Sequence, residues 1–336
     1  MANSSCIGQS EMIGDQETWL VMKVLMFGVT PFVCMFGIVG NVLSMVVLVK
    51  HGLNKCSNII LVALAFSDVT YLISFNSVPK TLYEAVWNRE YVGYSKTSCD
   101  VLFVLFSFFT LLDYAFGLMG MTLPILITAE RLVVIFLPLK FNRVITPIRT
   151  WLAVGGVAVY WLSIIFYSSF WQRLEFGFDH MTNKSIALIK RSAFYYDNPY
   201  SVLIIENLFT YSAMVAPPIF TVAGSLVISV RIQMISSKRK NLTSTIRSTN
   251  QTTKTLLAVN AVYCFTAVVM SLPLYIPEYA SYSLTDEKPS NIGRISYQLQ
   301  NIAVCLNSSS NFVVYVVFNS KFRDTLKGFF QCCEAK

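Results

Sequence analysis

Seven long apolar runs, at 18–49, 57–79, 100–133, 149–171, 200–232, 252–279 and 292–318, limit what this 336-residue chain can become more than any other feature. Each reaches the roughly 20 apolar residues that cross a bilayer core. In hydrocarbon the backbone must satisfy its own N–H and C=O groups, so runs of this length are read as helices. Together they take up much of the chain and leave loops and tails, with no room for a separate soluble catalytic domain. A composition of 54% hydrophobic against 13% charged residues and a mean hydropathy of +0.56 also exclude an ordinary soluble protein. The expected fold is an all-α integral membrane protein, a seven-transmembrane helix bundle.

Basic residues fix the expected orientation. With residues 1–17 outside, the inner segments hold sixteen Lys and Arg against Glu130, Asp324 and Glu334, the bias that cytoplasmic loops carry. The +8 net charge is scattered among the spans and forms no single basic face, so nucleic acid is excluded as a partner. The expected divisions are an outer tail at 1–17, the bundle at 18–318 and a cytoplasmic tail at 319–336. The outer tail lacks the basic start of a cleaved signal, so the first span is expected to act as an uncleaved anchor. Asn3 and Asn183 begin acceptor sequons on outer segments and are candidate glycosylation sites.

Ionisable groups inside a membrane need a partner or a task. Asp68 lies in the second span, and Asn41, Asn307, Ser308 and Asn311 are its possible partners from other spans. Such a cluster of carboxylate, amide and hydroxyl groups holds water or a hard cation such as Na⁺, or serves as interhelical hydrogen bonds alone. Glu130-Arg131 closes the third span on the cytoplasmic side, where the acid can neutralise the Arg until a partner protein takes it, or simply anchor the helix end. Asp113 precedes Arg131 by 18 residues, five turns or about 27 Å, so the two project from one face at opposite ends of the span.

Several of these residues carry a family resemblance. Gly37-Ile38-Val39-Gly40-Asn41-Val42 in the first span, Leu61 to Asp68 in the second, Glu130-Arg131-Leu132 ending the third with Leu137-Pro138-Leu139 after it, a Pro in the fifth and in the sixth, and Asn307 to Tyr315 in the seventh occur in this order. From Gly37 to Cys333 the chain resembles the rhodopsin-like (class A) G-protein-coupled receptors. The resemblance implies an extracellular ligand bound between the helices, outward movement of the sixth span near Pro273, and nucleotide exchange on a heterotrimeric G protein docked near Arg131, with arrestin as a further possible partner. It makes Asp68, Asn41, Asn307, Ser308 and Asn311 a sodium and water site, with Na⁺ as an allosteric ion, and has Tyr315 swing toward Arg131. It also implies a short amphipathic eighth helix beginning at Phe318-Asn319-Ser320-Lys321, with palmitoyl groups on Cys332 and Cys333, and a plasma-membrane location.

The pattern departs in places. Ser271 stands where the sixth span usually has a Trp, Phe312 replaces the Pro of the seventh span, and Ser225 or Leu226 occupies the place of a fifth-span Tyr. No Cys lies between Cys99 and Cys264, so the usual bridge to the second outer loop has no partner, and Cys6–Cys99 is the remaining outer pairing.

No Lys lies between Lys288 and Lys321, which excludes a retinal Schiff base in the seventh span. Asp113 falls where amine receptors of the family place a cation-binding Asp, yet Ser271 and Cys305 replace the aromatic residues of an amine pocket. Asp113, Glu206 and Glu278, with Tyr114, Tyr275 and Asn301, make an acidic pocket with aromatic walls that suits a cationic ligand, unless Asp113 pairs internally. The run Leu137 to Asn142 and Ile145-Thr146-Pro147 look most like FMRFamide-type peptide receptors and related invertebrate chemosensory receptors. A neuropeptide receptor is therefore expected first, and a chemosensory receptor for a small cationic molecule second. The alternative of a different class is a small membrane transporter, whose signature would be inverted repeats or spans broken in corresponding places, and the sequence displays neither. An enzyme is excluded because His51 and His180 lie on opposite sides of the membrane and no Cys, His and acid cluster has metal-ligand spacing.

Overall fold

The computed structural model describes residues 13–80, 96–179, 184–238, 243–276 and 290–334. Within them the chain forms α1 (Asp15–Lys50), α2 (Cys56–Phe75), α3 (Lys96–Phe136), α4 (Pro147–Ser169), β1 (Gln172–Asp179) and β2 (Lys184–Arg191). There follow α5, built from Pro199–Phe209 and Ala216–Lys238, then α6 (Thr243–Tyr275), α7 (Asn291–Phe318) and α8 (Ser320–Glu334). Six of these helices are long and apolar enough to cross a membrane, and the described apolar part of α6, Ala258–Pro273, is shorter. This is the expected seven-helix bundle with an eighth helix after it.

Prolines explain the irregular turns. α1 passes through a π turn at Leu25–Val29 just before Pro31, and α5 through one at Thr210–Val215 just before Pro217 and Pro218. A proline ring offers no N–H and crowds the carbonyl four residues back, so a widened turn upstream accommodates it. Pro124 lies inside α3 and leaves the Gly120 carbonyl without its helical donor.

Three clusters hold the bundle. Ile60, Leu64, Met119, Leu123, Trp161 and Ala213 join α2, α3, α4 and α5; Trp161 donates Nε1–H to Thr122 Oγ1 at 3.1 Å, so its polar edge is satisfied while the ring is buried. Cys34, Tyr71, Phe75 and Cys305 join α1, α2 and α7. Val47, Val259, Tyr315, Phe322 and Leu326 join α1, α6, α7 and α8.

Small residues set the contact of α1 with α7. A Cβ at Gly37 would sit 2.9 Å from Ser309 Cβ, and one at Gly40 2.8 Å from Phe312 Cβ. Only glycine permits that approach, the use small residues have in membrane helix packing. α8 buries Phe322 and Leu326 and exposes Lys321 and Lys327, an amphipathic pattern. Asn319 caps it by accepting the Phe322 N–H at 3.2 Å.

The two-stranded hairpin between α4 and α5 departs from an all-helical reading. Its antiparallel register runs from Gln172↔Arg191 to Asp179↔Lys184. The alternation Leu174-Glu175-Phe176 is the period-2 signal of a strand, a signal easily missed beside the adjoining apolar runs. α2 ends at Phe75 instead of 79, with a turn at Asn76, and helical residues resume at 78–80 with Pro79 near their start, where a proline is tolerated.

Candidate functional site

Lys80 is buried at 3% exposure just beyond α2, where its ammonium pairs with the Asp113 carboxylate of α3, itself 4% exposed. The cation lies 4.4 Å from the Phe75 ring centroid and 5.8 Å from that of Tyr114, so aromatic π clouds border it as well. Asp113 also lies within electrostatic reach of Tyr71 and Cys305. On sequence alone Lys80, one residue past the 57–79 run, reads as an outer loop charge, and Asp113 as open to a ligand cation. Asp113 is instead closed by its own chain, the alternative of internal pairing. The missed signal is a Lys immediately after Ser77-Val78-Pro79, at the end of an apolar helix. Removing one partner of a buried pair leaves an uncompensated charge at a cost of about 3–5 kcal/mol.

The other residues of the expected outer pocket are scattered. Tyr114 is 44% exposed and Tyr275 78% exposed, and Glu206 is exposed on the first segment of α5. No described contact joins Glu206 or Tyr275 to Asp113. Asn301 is half-buried on α7, and its Nδ2 donor has no hydrogen-bond partner among the described residues. Asn301 stands one turn outward from Cys305 on the same helix face. Glu278 lies outside the described residues, as do Cys6, Asn3 and Asn183; Cys99 is buried near the outer end of α3.

At mid-bundle Asn311 donates Nδ2–H to Asp68 Oδ2 at 2.8 Å, and the Ser308 hydroxyl also bonds Asp68. Asn41 instead donates to Ser308 O of α7 at 2.8 Å and to Gly37 O of its own helix at 3.0 Å, while its Oδ1 is buried without a hydrogen-bond partner among the described residues. Asn307 is half-buried, its carbonyl accepting the Ser310 hydroxyl, and no described bond takes it to Asp68. A carboxylate, a hydroxyl and an orphaned amide oxygen form a donor set that suits a hard cation.

At the cytoplasmic end Glu130 is buried and accepts the Ser57 hydroxyl of α2 at 2.6 Å. Arg131 donates Nη2–H to Ser57 Oγ at 3.1 Å. The direct contact, Arg131 Nε to Glu130 Oε2, is 3.9 Å, and both atoms lack a hydrogen bond among the described residues. The Tyr315 hydroxyl is likewise buried and unsatisfied, its ring packed 5.6 Å from that of Phe322. Below them His51 shares a 2.8 Å hydrogen bond with Thr325 Oγ1 of α8. Partial burial, and then the charges of Lys55, Lys321 and Lys50, hold the His51 pKa below its ordinary 6.5.

The variant positions have local roles. Ser225 accepts a hydrogen bond from Asn260 Nδ2 at 2.5 Å and so ties α5 to α6. Ser271 donates to its own helix at Val268 O. Cys305 lies 3.8 Å from Cys34 Sγ and 3.7 Å from Tyr71 Oη. Pro273 is in the last turn of α6. Cys332 and Cys333 lie on α8.

Comparison with known proteins agrees with this architecture. Residues 28–333 match the profile of the family described as serpentine type 7TM GPCR chemoreceptor Srw. A Caenorhabditis elegans protein named as a probable G-protein coupled receptor is 24% identical over 315 residues, which cover 90% of this chain and 69% of that one. The FMRFamide receptor of Drosophila melanogaster is 23% identical over 302 residues, 85% of this chain and 50% of that receptor. With seven helices and a match over nearly its whole length, this chain belongs to the Srw family of serpentine G-protein-coupled receptors.

Proposed function

We propose that this receptor stands in the plasma membrane with its amino terminus outside, takes its ligand at the outer ends of α2, α3 and α7, and activates a heterotrimeric G protein at Arg131. One observation carries the reading: α3 holds Asp113 in a sealed pair near its outer end and Arg131 in an unsatisfied contact about 27 Å away at its inner end. A ligand that disturbs the outer pair acts on the same helix that presents the Arg.

Because Lys80 already neutralises Asp113, an added cation gains no free carboxylate there, which weakens the case for an Arg-bearing amidated peptide. The reading favoured is therefore a chemosensory receptor for a small charged molecule. A neuropeptide receptor is the second reading, supported by the similarity to the Drosophila FMRFamide receptor. In either, Na⁺ is proposed as an allosteric ion held by Asp68, Ser308 and the Asn41 Oδ1. Arrestin binding at the same inner face, glycans on Asn3 and Asn183, and palmitoyl groups on Cys332 and Cys333 belong to the proposal.

The test is a calcium or cAMP response in cells expressing this chain, challenged with fractionated tissue extract before and after protease digestion. A small-molecule ligand leaves the response intact after digestion, whereas a peptide ligand abolishes it. In both cases Arg131→Ala at equal surface level removes the signal, and a full signal from that variant would sink the coupling role.

A further inference from the structure

We infer that the junction of α1, the turn at 51–55 and α8 binds the headgroup of a multiply phosphorylated lipid of the inner leaflet, a phosphoinositide bisphosphate. The inference rests on the proposed orientation, which puts this end of the bundle in the cytoplasm. Three ammonium groups converge there from three elements: Lys50 ends α1, Lys55 ends the turn, and Lys321 lies in the first turn of α8. All three are exposed and lie within electrostatic reach of the His51 ring. None makes an ion pair among the described residues, and Asp324 of α8 pairs with none of them. Cations gathered round one ring repel one another, and a bound polyanion relieves that repulsion.

The hydrogen bonds at the junction are directional. Thr325 Oγ1 donates to Lys321 O at 3.0 Å, so it accepts from His51 Nε2–H at 2.8 Å. That bond ties the end of α1 to α8. α2 begins at Cys56 with no side chain capping its first N–H groups, so the positive end of its dipole adds to the charge beside Lys55.

Position selects a lipid. Lys50 is the last residue of the α1 span, and its Nζ lies 4.4 Å from the ring centroid of Phe329 on α8. Phe322 and Leu326 are buried on the same helix. The cations thus stand where an apolar span gives way to polar chain, the depth of lipid headgroups. The cytoplasmic leaflet is anionic, and basic clusters at the inner end of a span or on an amphipathic helix attract its phosphates. Phosphatidylserine brings one net negative charge and answers one ammonium. Two ring phosphates carry about −3 to −4 and answer all three.

Full-length receptor is placed in nanodiscs of phosphatidylcholine alone, with phosphatidylserine, and with phosphatidylinositol bisphosphate at matched total charge. Each sample is melted and titrated with a fluorescent bisphosphate lipid. Soluble inositol trisphosphate, a headgroup without acyl chains, and a phosphoserine peptide serve as competitors. The bisphosphate lipid is expected to raise the melting temperature above that in phosphatidylserine. Lys55→Gln and Lys321→Gln are each expected to weaken its binding about fivefold, and together about twenty-five-fold. The corresponding Arg variants keep it, and Lys140→Gln, an exposed inner position on the connection from α3 to α4, binds as the wild type does.

Phosphatidylserine that matches the bisphosphate lipid at equal charge overturns the inference, since the attraction is then diffuse. Equal weakening by Lys140→Gln does the same. Inositol trisphosphate or the phosphopeptide binding as tightly as the lipid overturns it too, and assigns the junction to a soluble partner. Nanodiscs expose both leaflets, so an amino-terminal tag stained on intact cells checks the orientation separately. A tag found inside, with lipid binding intact, would refute the orientation and leave the headgroup chemistry standing. An outer tag without lipid binding would do the reverse.

Discussion

The two ends of α3 use the same chemistry to opposite effect. At the outer end Lys80 and Asp113 come from separate elements, meet directly and are buried together. At the inner end Glu130 and Arg131 are sequence neighbours whose closest charged atoms are 3.9 Å apart, with Ser57 bridging them and the Arg 21% exposed. Neighbours on a helix point about 100° apart and cannot close on one another, whereas two elements can be packed until their charges touch. The outer pair is thus a clasp between elements, and the inner one keeps its Arg available.

The largest effect that tests this contrast comes from opening the clasp. Lys80→Met or Asp113→Asn alone is expected to cost about 3–5 kcal/mol, read as a lower melting temperature of the purified receptor, with the charge-exchanged double variant recovering much of it. Equal melting of single variants and wild type would show that the pair is not closed. Next, Asn311→Ala removes the 2.8 Å donor from Asp68 Oδ2 and is expected to cost about 1–3 kcal/mol. Unchanged melting there would mean that water replaces the amide without loss.

At the inner end Ser57→Ala is expected to cost only about 0.5–1.5 kcal/mol and to raise basal G-protein activity, because the hydroxyl that holds both Glu130 and Arg131 is gone. A basal signal at or below that of the wild type would contradict the idea that Ser57 restrains the Arg.

The smallest effect concerns pH. The folded pKa of His51 is lowered from 6.5, so the folded state favours the neutral ring. Its contribution is complete above the unfolded value and is lost as pH falls through the folded one. Acidification from about pH 7.5 to 5 is therefore expected to loosen α8, read as faster tryptic cleavage after Lys321, and His51→Gln should flatten that dependence.

How much of this was legible beforehand depended on the range of the signal. The helices and their order followed from apolar runs, because a span must be long and continuous. The Asp68–Asn311 contact lay within the polar set that the runs made conspicuous. Lys80 was hidden because a Lys at a span boundary looks like any loop charge until α3 is packed beside it. The hairpin was hidden because Lys190 and Arg173 flank Glu175 on a surface whose pairing depends on register, which one strand's sequence does not specify. Asn41 was expected to face Asp68, yet its donor goes to the backbone of α7, an outcome set by the closeness that Gly37 and Gly40 allow.

Pro124 gives α3 a mechanical character that its length conceals. The helix is pinned to its neighbours at Asp113, at Phe116 O by Ser67, at Thr122 by Trp161 and at Glu130 by Ser57. A continuous rod so fastened would share any load among all its pins. Gly120, whose carbonyl has no N–H from Pro124 to accept, lies against Asp68. The compliance of the rod is therefore concentrated at one joint, level with the buried carboxylate, and whatever stiffens that joint sets how much of a push at the outer end is delivered to the inner one.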